Sequence, residues 1–298
     1  MTRENSCNPE SKIKAIWELT RAEHGLMYGC GVLIGVLIEG GSSYAAASSG
    51  FFTAFFIQAG AFALNDYCDL ETDIANHRMD RPLVRGDLRR ESALLVACLA
   101  TVLGIVFAVL LTVLLENSLL FLLAFILVVL GVLYDIKMKE FFAVSNFYIA
   151  ATMAVPFIYG GLIASGRVGT ALCILSCIAL LAGFGREVMK DIADVKGDEL
   201  RDVRSFARIY GVENAKPVVI SSYLLAVVLS VVPYFLVHTS YYFKLAYIVP
   251  VIAADALFLH TCIGLRKVDA DYDIMRRETL IAIAIGLVAF ISGALCQF

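Results

Sequence analysis

Residues 46–73 read AASSGFFTAFFIQAGAFALNDYCDLETD, an apolar run of about twenty residues that ends in three aspartates. A run of this length can cross the hydrocarbon core of a bilayer as one helix. Asp66, Asp69 and Asp73 follow one another at positions i, i+3 and i+7, which share one face of a helix. The stretch therefore predicts a membrane helix that carries a cluster of carboxylates at one end.

Further apolar runs along the chain satisfy the same length rule, and the composition agrees with them. The chain is 60% hydrophobic and its mean hydropathy is +0.80, whereas a soluble domain is roughly 45–50% apolar. The predicted spans are residues 25–42, 46–65, 91–115, 118–134, 143–165, 168–185, 217–237, 243–264 and 278–297. We therefore expect an all-α membrane protein with one domain over residues 1–298, in which nine transmembrane helices surround a central cavity. Residues 1–24 are expected to form a tail with a short interfacial helix.

The basic residues predict which side of the membrane each connection faces. Every Lys and Arg except Arg167 and Lys244 lies in the tail or in every second connection. Cytoplasmic loops carry such an excess. The distribution predicts a multi-pass protein of the cell membrane with a cytoplasmic N-terminus and an outside C-terminus. The two longest connections, 66–90 and 186–216, are then cytoplasmic.

A second acidic cluster repeats the first. Asp191, Asp194 and Asp198 have the same i, i+3, i+7 spacing, and each lies 125 residues after its counterpart in the first cluster (191 − 66). Four predicted helices separate the two copies, and an even number of crossings returns the chain to the same face of the membrane. The sequence therefore predicts two pseudo-repeated halves whose clusters lie at the cytoplasmic face, beside loops that cap the cavity.

The clusters are chemically suited to a divalent cation. Carboxylates stacked on one helix face repel one another, and a hard cation such as Mg²⁺ turns that repulsion into coordination. Mg²⁺ is typically held by one or two carboxylates together with substrate phosphates, and arginine binds phosphate through paired hydrogen bonds. The basic residues beside the clusters are Arg78, Arg81, Arg85, Lys190, Arg201 and Arg204. A diphosphate carried by Mg²⁺ is the ligand that these residues predict.

Other classes of function fit the sequence less well. A net charge of −3 gives no reason to expect a nucleic-acid partner, and the dispersed His and Cys residues show no zinc spacing. No obligate protein partner is evident. A secondary transporter would place its charges near the bilayer midplane, whereas these clusters lie at helix ends. A phosphotransferase that uses a CDP-alcohol would carry an Asp-Gly followed by Ala-Arg in a single cluster, which the chain lacks.

The two clusters and the segments around them carry the motifs of a known family. Asn65-Asp66-x-x-Asp69-x-x-x-Asp73 and Asp191-x-x-Asp194-x-x-x-Asp198 resemble the two signatures of the UbiA superfamily of intramembrane prenyltransferases. The segments Asp80–Gly86, Tyr134–Lys139 and Gly197–Gly211 are also similar to that superfamily. The resemblance spans most of the chain, and nine helices is the architecture of the superfamily.

The resemblance implies Mg²⁺-dependent transfer of a prenyl group, from its diphosphate to a lipophilic acceptor, and assigns residues to that reaction. The implied catalytic residues are Asp66, Asp69, Asp191 and Asp194. The implied metal ligands are Asp66, Asp69, Asp73, Asp191, Asp194 and Asp198. The implied diphosphate-binding residues are Asn65, Arg78, Arg81, Tyr134, Lys137, Lys190 and Arg204. The ligands implied are therefore Mg²⁺, a prenyl diphosphate, the acceptor and membrane lipid.

Within the superfamily, Lys190-Asp191-x-x-Asp194-x-x-Gly197-Asp198 is most similar to the archaeal digeranylgeranylglyceryl phosphate synthases. That similarity implies a geranylgeranyl donor and geranylgeranylglyceryl phosphate as acceptor in ether-lipid synthesis. Prenylation of an aromatic acceptor, such as a hydroxybenzoate or naphthoate in quinone synthesis, is the alternative. The expected acceptor-binding residues are Arg21, His24 and Asn146, although His24 would equally cap a helix. Asp255, inside an apolar run, is expected either to function or to pair with a polar neighbour.

Overall fold

The computed structural model describes residues 9–200, 205–267 and 270–296, and over these residues the chain is helical. The helices are α1 (Pro9–Thr20), α2 (Ala22–Ile38), α3 (Tyr44–Ala75), α4 (Pro82–Arg85), α5 (Arg90–Leu115), α6 (Ser118–Ile136), α7 (Phe142–Ser165), α8 (Thr170–Leu200), α9 (Phe206–Tyr210), α10 (Val212–Phe235), α11 (Leu245–Gly264) and α12 (Tyr272–Leu295). A single 3₁₀ turn, Met138–Glu140, joins α6 to α7. The predicted all-α class is confirmed.

Eight of these helices are long and apolar enough to cross a membrane: α3, α5, α6, α7, α8, α10, α11 and α12. The predicted first span corresponds to α2, which has 17 residues and is shorter than the other apolar helices. Many large apolar side chains on the long helices are exposed, such as Val102, Val106 and Val113 on α5. Exposed apolar surface of this extent is stable in lipid and not in water. The chain is therefore a multi-pass membrane protein, while the count of nine, the central cavity and the capping loops stay predictions.

The chain divides into two compact units. The first contains the described residues up to Leu33 together with Ser43–Lys137, and the second contains Ile34–Ser42 with the described residues from Met138 onward. In the first unit α3 packs mainly against α5, and in the second α8 packs against α7 and α10. Each unit holds one of the two aspartate clusters.

The two helices that carry the clusters are much longer than their predicted spans. Residues 65 and 185 were the expected ends of the second and sixth spans, whereas α3 continues to Ala75 and α8 to Leu200. At 1.5 Å per residue, helices of 32 and 31 residues are roughly 45–48 Å long, and a hydrocarbon core is only about 30 Å thick. Each helix therefore extends beyond the apolar layer and carries its aspartates on the extension.

Beyond each cluster, the two units repeat a smaller structural feature. The short helix α4 ends at Gly86, whose φ is 78°, and the short helix α9 ends at Gly211, whose φ is 86°. A positive φ is readily adopted by glycine because it lacks a Cβ atom. Gly211 lies 125 residues after Gly86 (211 − 86), so two glycines with positive φ follow the offset between the clusters, while their ψ angles of 16° and 151° differ.

Apolar residues pack the cluster-bearing ends of α3 and α8 within their own units. In the first unit Ala63 is buried with Leu19 of α1 and Leu83 of α4. In the second unit Val188, Met189 and Ile192 are buried against α9, α10 and α11. Because these faces are buried, each helix presents its aspartates in one fixed direction within its own unit.

Candidate functional site

Asp66 is the most buried carboxylate of the first cluster, with only 1% of its surface exposed. Its Oδ1 accepts a hydrogen bond of 2.9 Å from Arg21 Nη2, and Arg81 Nη1 lies 3.1 Å from the same oxygen. Its Oδ2 is buried and has no hydrogen-bond partner among the described residues. A buried carboxylate is stable only where its charge is compensated, and the two guanidiniums supply that compensation on one oxygen only.

Arg21 reaches Asp66 from the junction between α1 and α2. Its φ of 42° breaks the helix there, and its guanidinium lies over the ring of Phe62 at 4.3 Å from the centroid. Phe62 lies one turn before Asp66 on α3, so the stacking fixes the guanidinium beside the carboxylate. Burial lowers the pKa of Arg21, and the charge of Asp66 opposes that shift. His24 contacts the edge of the same Phe62 ring at 5.4 Å between centroids.

Asn65 connects the first cluster to the end of α6. Its Nδ2 donates to Asp69 Oδ2 at 3.1 Å and to Asp135 Oδ1 at 2.8 Å. An amide nitrogen has two hydrogens, so both are directed at carboxylates and none remains for a phosphate. Asp135 is itself buried, with 4% of its surface exposed. Asn65 therefore positions two carboxylates.

Three arginines of the connection after α3 lie in a network with acidic residues. Arg81 Nε lies 3.8 Å from Asp73 Oδ2, which joins this buried aspartate to the same guanidinium that contacts Asp66. Arg78 makes two hydrogen bonds of 2.9 Å to Asp80, which raise the pKa of Arg78 and lower the pKa of Asp80. Arg85 pairs with Glu18 of α1 and with Asp87. The connection is thus held to α1 and α3 by ion pairs.

In the second cluster, the groups of the described residues that donate hydrogen bonds to Asp191 are neutral. Asp191 Oδ2 accepts a hydrogen bond of 2.8 Å from Asn146 Nδ2 of α7. The same oxygen accepts a bond of 3.1 Å from the backbone N–H of Phe206, the first residue of α9. Asp194 is exposed, and Lys190 Nζ lies 3.4 Å from Glu187 Oε2.

The donors to the two first aspartates occupy equivalent positions in the repeat. Arg21 lies 45 residues before Asp66, and Asn146 lies 45 residues before Asp191. Phe206 lies 15 residues after Asp191, and Arg81 lies 15 residues after Asp66 (81 − 66). Both contacts therefore recur at the offset of 125 residues that relates the clusters. The predicted repeat extends from the aspartates to the groups that hold them.

The structure gathers most of the sequence-predicted residues at the two clusters. Asn65, Asp66, Asp69, Asp73 and Arg81 are joined in the first unit by the contacts given above. Tyr134 and Lys137 lie at the end of α6, beside the Asp135 that contacts Asn65. Asp191 and Asn146 are in contact in the second unit. Arg204 and the side chain of Asp198 lie outside the described residues.

Groups of the site that the sequence did not identify include the Asp135 carboxylate, the Glu18 carboxylate, the Phe62 ring and the backbone N–H of Phe206. Asp135 ends an apolar run, and a carboxylate in that position is a signal that could have identified it. A backbone donor leaves no trace in the sequence. Asp255, for which two roles were expected, accepts a hydrogen bond of 2.8 Å from Ser230 of α10, so the expected polar partner exists.

The chemistry of the first cluster fits a magnesium ion that is shared with phosphate oxygens. Among the described residues no three His, Cys, Asp or Glu side chains are close enough to hold a metal by themselves. Mg²⁺ does not require such a cage, because it is bound through one or two carboxylates and completed by water and substrate phosphates. The buried, unpartnered Oδ2 of Asp66 is a carboxylate oxygen of the required kind.

Comparison with known sequences gives a consistent result. The sequence model of the UbiA prenyltransferase family matches residues 29–280. The chain is 46% identical to the digeranylgeranylglyceryl phosphate synthase of Archaeoglobus fulgidus over 95% of this chain and 96% of that one. It is 30% identical to the protein of the same name from Pyrococcus furiosus over 96% and 99% of the two chains.

Solved structures show the same fold. A structure described as concerning digeranylgeranylglyceryl phosphate synthase in membranes matches with a TM-score of 0.78 and 28% identity, over 95% of this chain and 99% of that one. A UbiA homologue from Archaeoglobus fulgidus, solved with GPP and Mg²⁺, matches with a TM-score of 0.70 and 17% identity, over 94% and 99% of the chains. At that identity the second likeness concerns the fold alone.

Proposed function

The chain belongs to the UbiA prenyltransferase family, and we propose that it transfers a geranylgeranyl group from geranylgeranyl diphosphate to geranylgeranylglyceryl phosphate. In this reaction the free hydroxyl oxygen of the acceptor forms an ether bond to C1 of the donor. The bond between C1 and the diphosphate oxygen breaks, and diphosphate and one proton are released. The product is the core of an ether lipid.

One observation supports this choice of acceptor above the others in the family. The 46% identity to a digeranylgeranylglyceryl phosphate synthase extends over nearly the whole of both chains, so it covers the helices around both clusters and the loops that follow them. Similar proteins from Pyrococcus furiosus and Methanocaldococcus jannaschii carry the same name at 30% and 29% identity.

We assign the metal to the carboxylates of both clusters. The ligands in this proposal are Asp66, Asp69, Asp73, Asp191, Asp194 and Asp198, of which Asp66, Asp69, Asp191 and Asp194 act in catalysis. Mg²⁺, when bound, supplies a Lewis acid that weakens the allylic C–O bond. The chain's own contribution is to hold carboxylates in place. Arg21, Arg81 and Asn65 hold Asp66 and Asp69 in the first unit, and Asn146 and Phe206 hold Asp191 in the second.

The basic residues near the clusters are assigned to the leaving diphosphate. Arg78, Arg81, Tyr134, Lys137, Lys190 and Arg204 are the candidates from the sequence. Asn65 is better placed to orient Asp69 and Asp135, because both hydrogens of its amide are directed at those carboxylates. The contacts of Arg21 and Asn146 likewise favour a role in holding Asp66 and Asp191 over direct binding of the acceptor, which leaves His24 as the acceptor-side candidate.

We further propose that both clusters face the cytoplasm. The support is the distribution of Lys and Arg. It requires α2 to cross the membrane in addition to the eight longer helices, because only then do basic connections alternate with connections poor in Lys and Arg. Fusion of a fluorescent protein after residue 88 should give a fluorescent cytoplasmic reporter, whereas fusion after residue 240 should not. Equal fluorescence at both positions would contradict this topology.

The acceptor is tested with purified protein in nanodiscs, labelled geranylgeranyl diphosphate and a panel of acceptors. We expect label to enter geranylgeranylglyceryl phosphate with Mg²⁺ and not with EDTA, and to be absent from hydroxybenzoate and naphthoate acceptors. Transfer to an aromatic acid but not to the glyceryl phosphate would reject this function in favour of quinone synthesis.

A further inference from the structure

The two units hold their first aspartates with groups of different charge. In the first unit both contacting groups on Asp66 are guanidiniums, those of Arg21 and Arg81. In the second unit the groups at the equivalent positions, the Asn146 amide and the Phe206 backbone N–H, are neutral. The positions match across the repeat, so the difference lies in the chemical type of the donor and not in the architecture.

The guanidiniums place two positive charges close to a carboxylate that is almost fully buried. Arg21 and Arg81 lie 2.9 and 3.1 Å from Asp66 Oδ1, and Asp66 is 1% exposed. A divalent cation that approaches the unpartnered Oδ2 is therefore repelled by both guanidiniums over a few ångströms, with little water to screen them. Asp69, which is held by the neutral Asn65 amide, opposes this repulsion. Asp73 and Asp80 offset less of it, because Arg81 lies beside Asp73 and Arg78 holds Asp80.

A diphosphate changes this balance. Its oxygens accept paired hydrogen bonds from guanidinium groups, so Arg21 and Arg81 can exchange a carboxylate for a phosphate partner. The exchange lowers the positive charge felt at Asp66 and leaves its oxygens for a metal that the diphosphate also coordinates. Metal and diphosphate thus favour each other at this cluster, which is a reciprocal coupling between two ligands.

We propose that Arg21 and Arg81 are resident counter-cations of Asp66, so that a divalent metal binds the first cluster only together with a diphosphate, whereas the second cluster binds a metal without it. This inference rests on the proposed function, since it assumes that both clusters are metal sites. Beyond the proposed function, it states that the two clusters differ in their affinity for a metal without diphosphate, and it gives Arg21 a role in the order of binding.

The repeat supplies the substitution that tests this. The counterpart of Arg21 in the second unit is Asn146, so Arg21→Asn gives the first unit the same donor as the second. Purified full-length protein in nanodiscs is titrated with Mn²⁺ alone, and free Mn²⁺ is counted by electron paramagnetic resonance. Without diphosphate, the native protein should bind Mn²⁺ tightly. Asp191→Asn should lose this binding, and Asp66→Asn should keep it. Arg21→Asn should gain a further Mn²⁺ site that is about tenfold tighter or more, and adding Asp66→Asn should remove that gain.

A gain of binding is not a result that misfolding can produce. If Arg21→Asn fails to fold, Arg81→Gln tests the same charge, with the same expected gain. The inference is overturned if neither folded variant gains an Asp66-dependent site, or if Asp66→Asn alone weakens Mn²⁺ binding in the absence of diphosphate. Failure of the proposed metal sites, on which this inference rests, would look different: no Mn²⁺ would bind at either cluster even with a non-reactive thio analogue of geranylgeranyl diphosphate present.

Discussion

Asn65 Nδ2 donates a hydrogen bond of 2.8 Å to Asp135 Oδ1, which joins the cluster-bearing end of α3 to the end of α6. The same nitrogen donates to Asp69 Oδ2 at 3.1 Å. One amide therefore sets the orientation of a proposed metal ligand from a second helix. Groups that orient a metal ligand in this way typically matter by about 10–100-fold in metal affinity or activity.

We predict that Asp135→Ala lowers the rate of geranylgeranyl transfer by about 10–100-fold at fixed Mg²⁺. The reason is that Asn65 loses one of its two acceptors and no longer fixes Asp69. Asp135→Asn keeps an oxygen that can accept the bond and should retain more activity than Asp135→Ala. Rates are measured across a Mg²⁺ titration, and equal rates for Asp135→Ala and the native protein would contradict this role.

We expect Asn146→Ala to act through the metal and not through the acceptor. Asn146 donates to Asp191 at 2.8 Å, so its loss removes one of the two donors to that carboxylate. The Mg²⁺ concentration needed for half-maximal rate should change by about tenfold or more, while the KM for geranylgeranylglyceryl phosphate stays near the native value. A raised acceptor KM with an unchanged Mg²⁺ dependence would instead favour the acceptor-binding role predicted from the sequence.

The close packing around Gly35 predicts an effect on stability. A Cβ atom at Gly35 of α2 would lie well under 3.0 Å from the backbone carbonyl oxygen of Phe157 and about 3.0 Å from Gly160 Cα. Because backbone atoms cannot rotate away, Gly35→Ala should destabilise the protein by about 1–3 kcal/mol. Gly286→Ala on α12 is the matched control, since a Cβ atom there meets nothing within 4 Å. Thermal unfolding in detergent should separate the two, and equal melting temperatures would contradict the packing.

Asp255 is predicted to be structural. Its Oδ2 accepts a bond of 2.8 Å from Ser230, whose backbone carbonyl in turn accepts a bond of 2.6 Å from Tyr247. Asp255→Asn keeps an oxygen acceptor for Ser230 and should leave the transfer rate within about twofold of native. Asp255→Leu removes one of the two acceptors of the Ser230 hydroxyl and leaves the Val227 carbonyl as the other. The melting temperature should therefore fall by the loss of one hydrogen bond, about 0.5–1.5 kcal/mol. A large loss of activity in Asp255→Asn at unchanged stability would assign this residue a function.

The sequence predicts the membrane helices and the two aspartate clusters because both follow from simple periodicities. Length and hydropathy locate the spans, and the i, i+3, i+7 spacing places Asp66 or Asp191 on a helix face. The helix ends were predicted less well, since α3 and α8 continue through polar residues that hydropathy reads as loops. The partners of the aspartates were harder still. Arg21 and Asn146 contact residues 45 positions away, and such contacts depend on how the helices pack, which local spacing in the sequence does not reveal.

The repeat could have been extended from the sequence with one further step. Adding 125 to 86 gives 211, and both positions are glycine. Adding 125 to Arg21 and Arg81 gives Asn146 and Phe206, which are chemically unlike their counterparts, so no residue pattern reveals the equivalence. Only the structure shows that these unlike residues have the same role, which is to contact Asp66 in the first unit and Asp191 in the second.

The central claim is that both copies of the aspartate motif are needed for one reaction. The most direct test is the initial rate of geranylgeranyl transfer, at saturating Mg²⁺, for Asp66→Asn and Asp191→Asn, each shown to be folded by its melting temperature. Both substitutions keep side-chain size and remove only the charge. We predict that each variant alone loses at least about 100-fold in rate, as expected when a single carboxylate ligand of a catalytic metal is lost. A rate near native in either folded variant would contradict the claim.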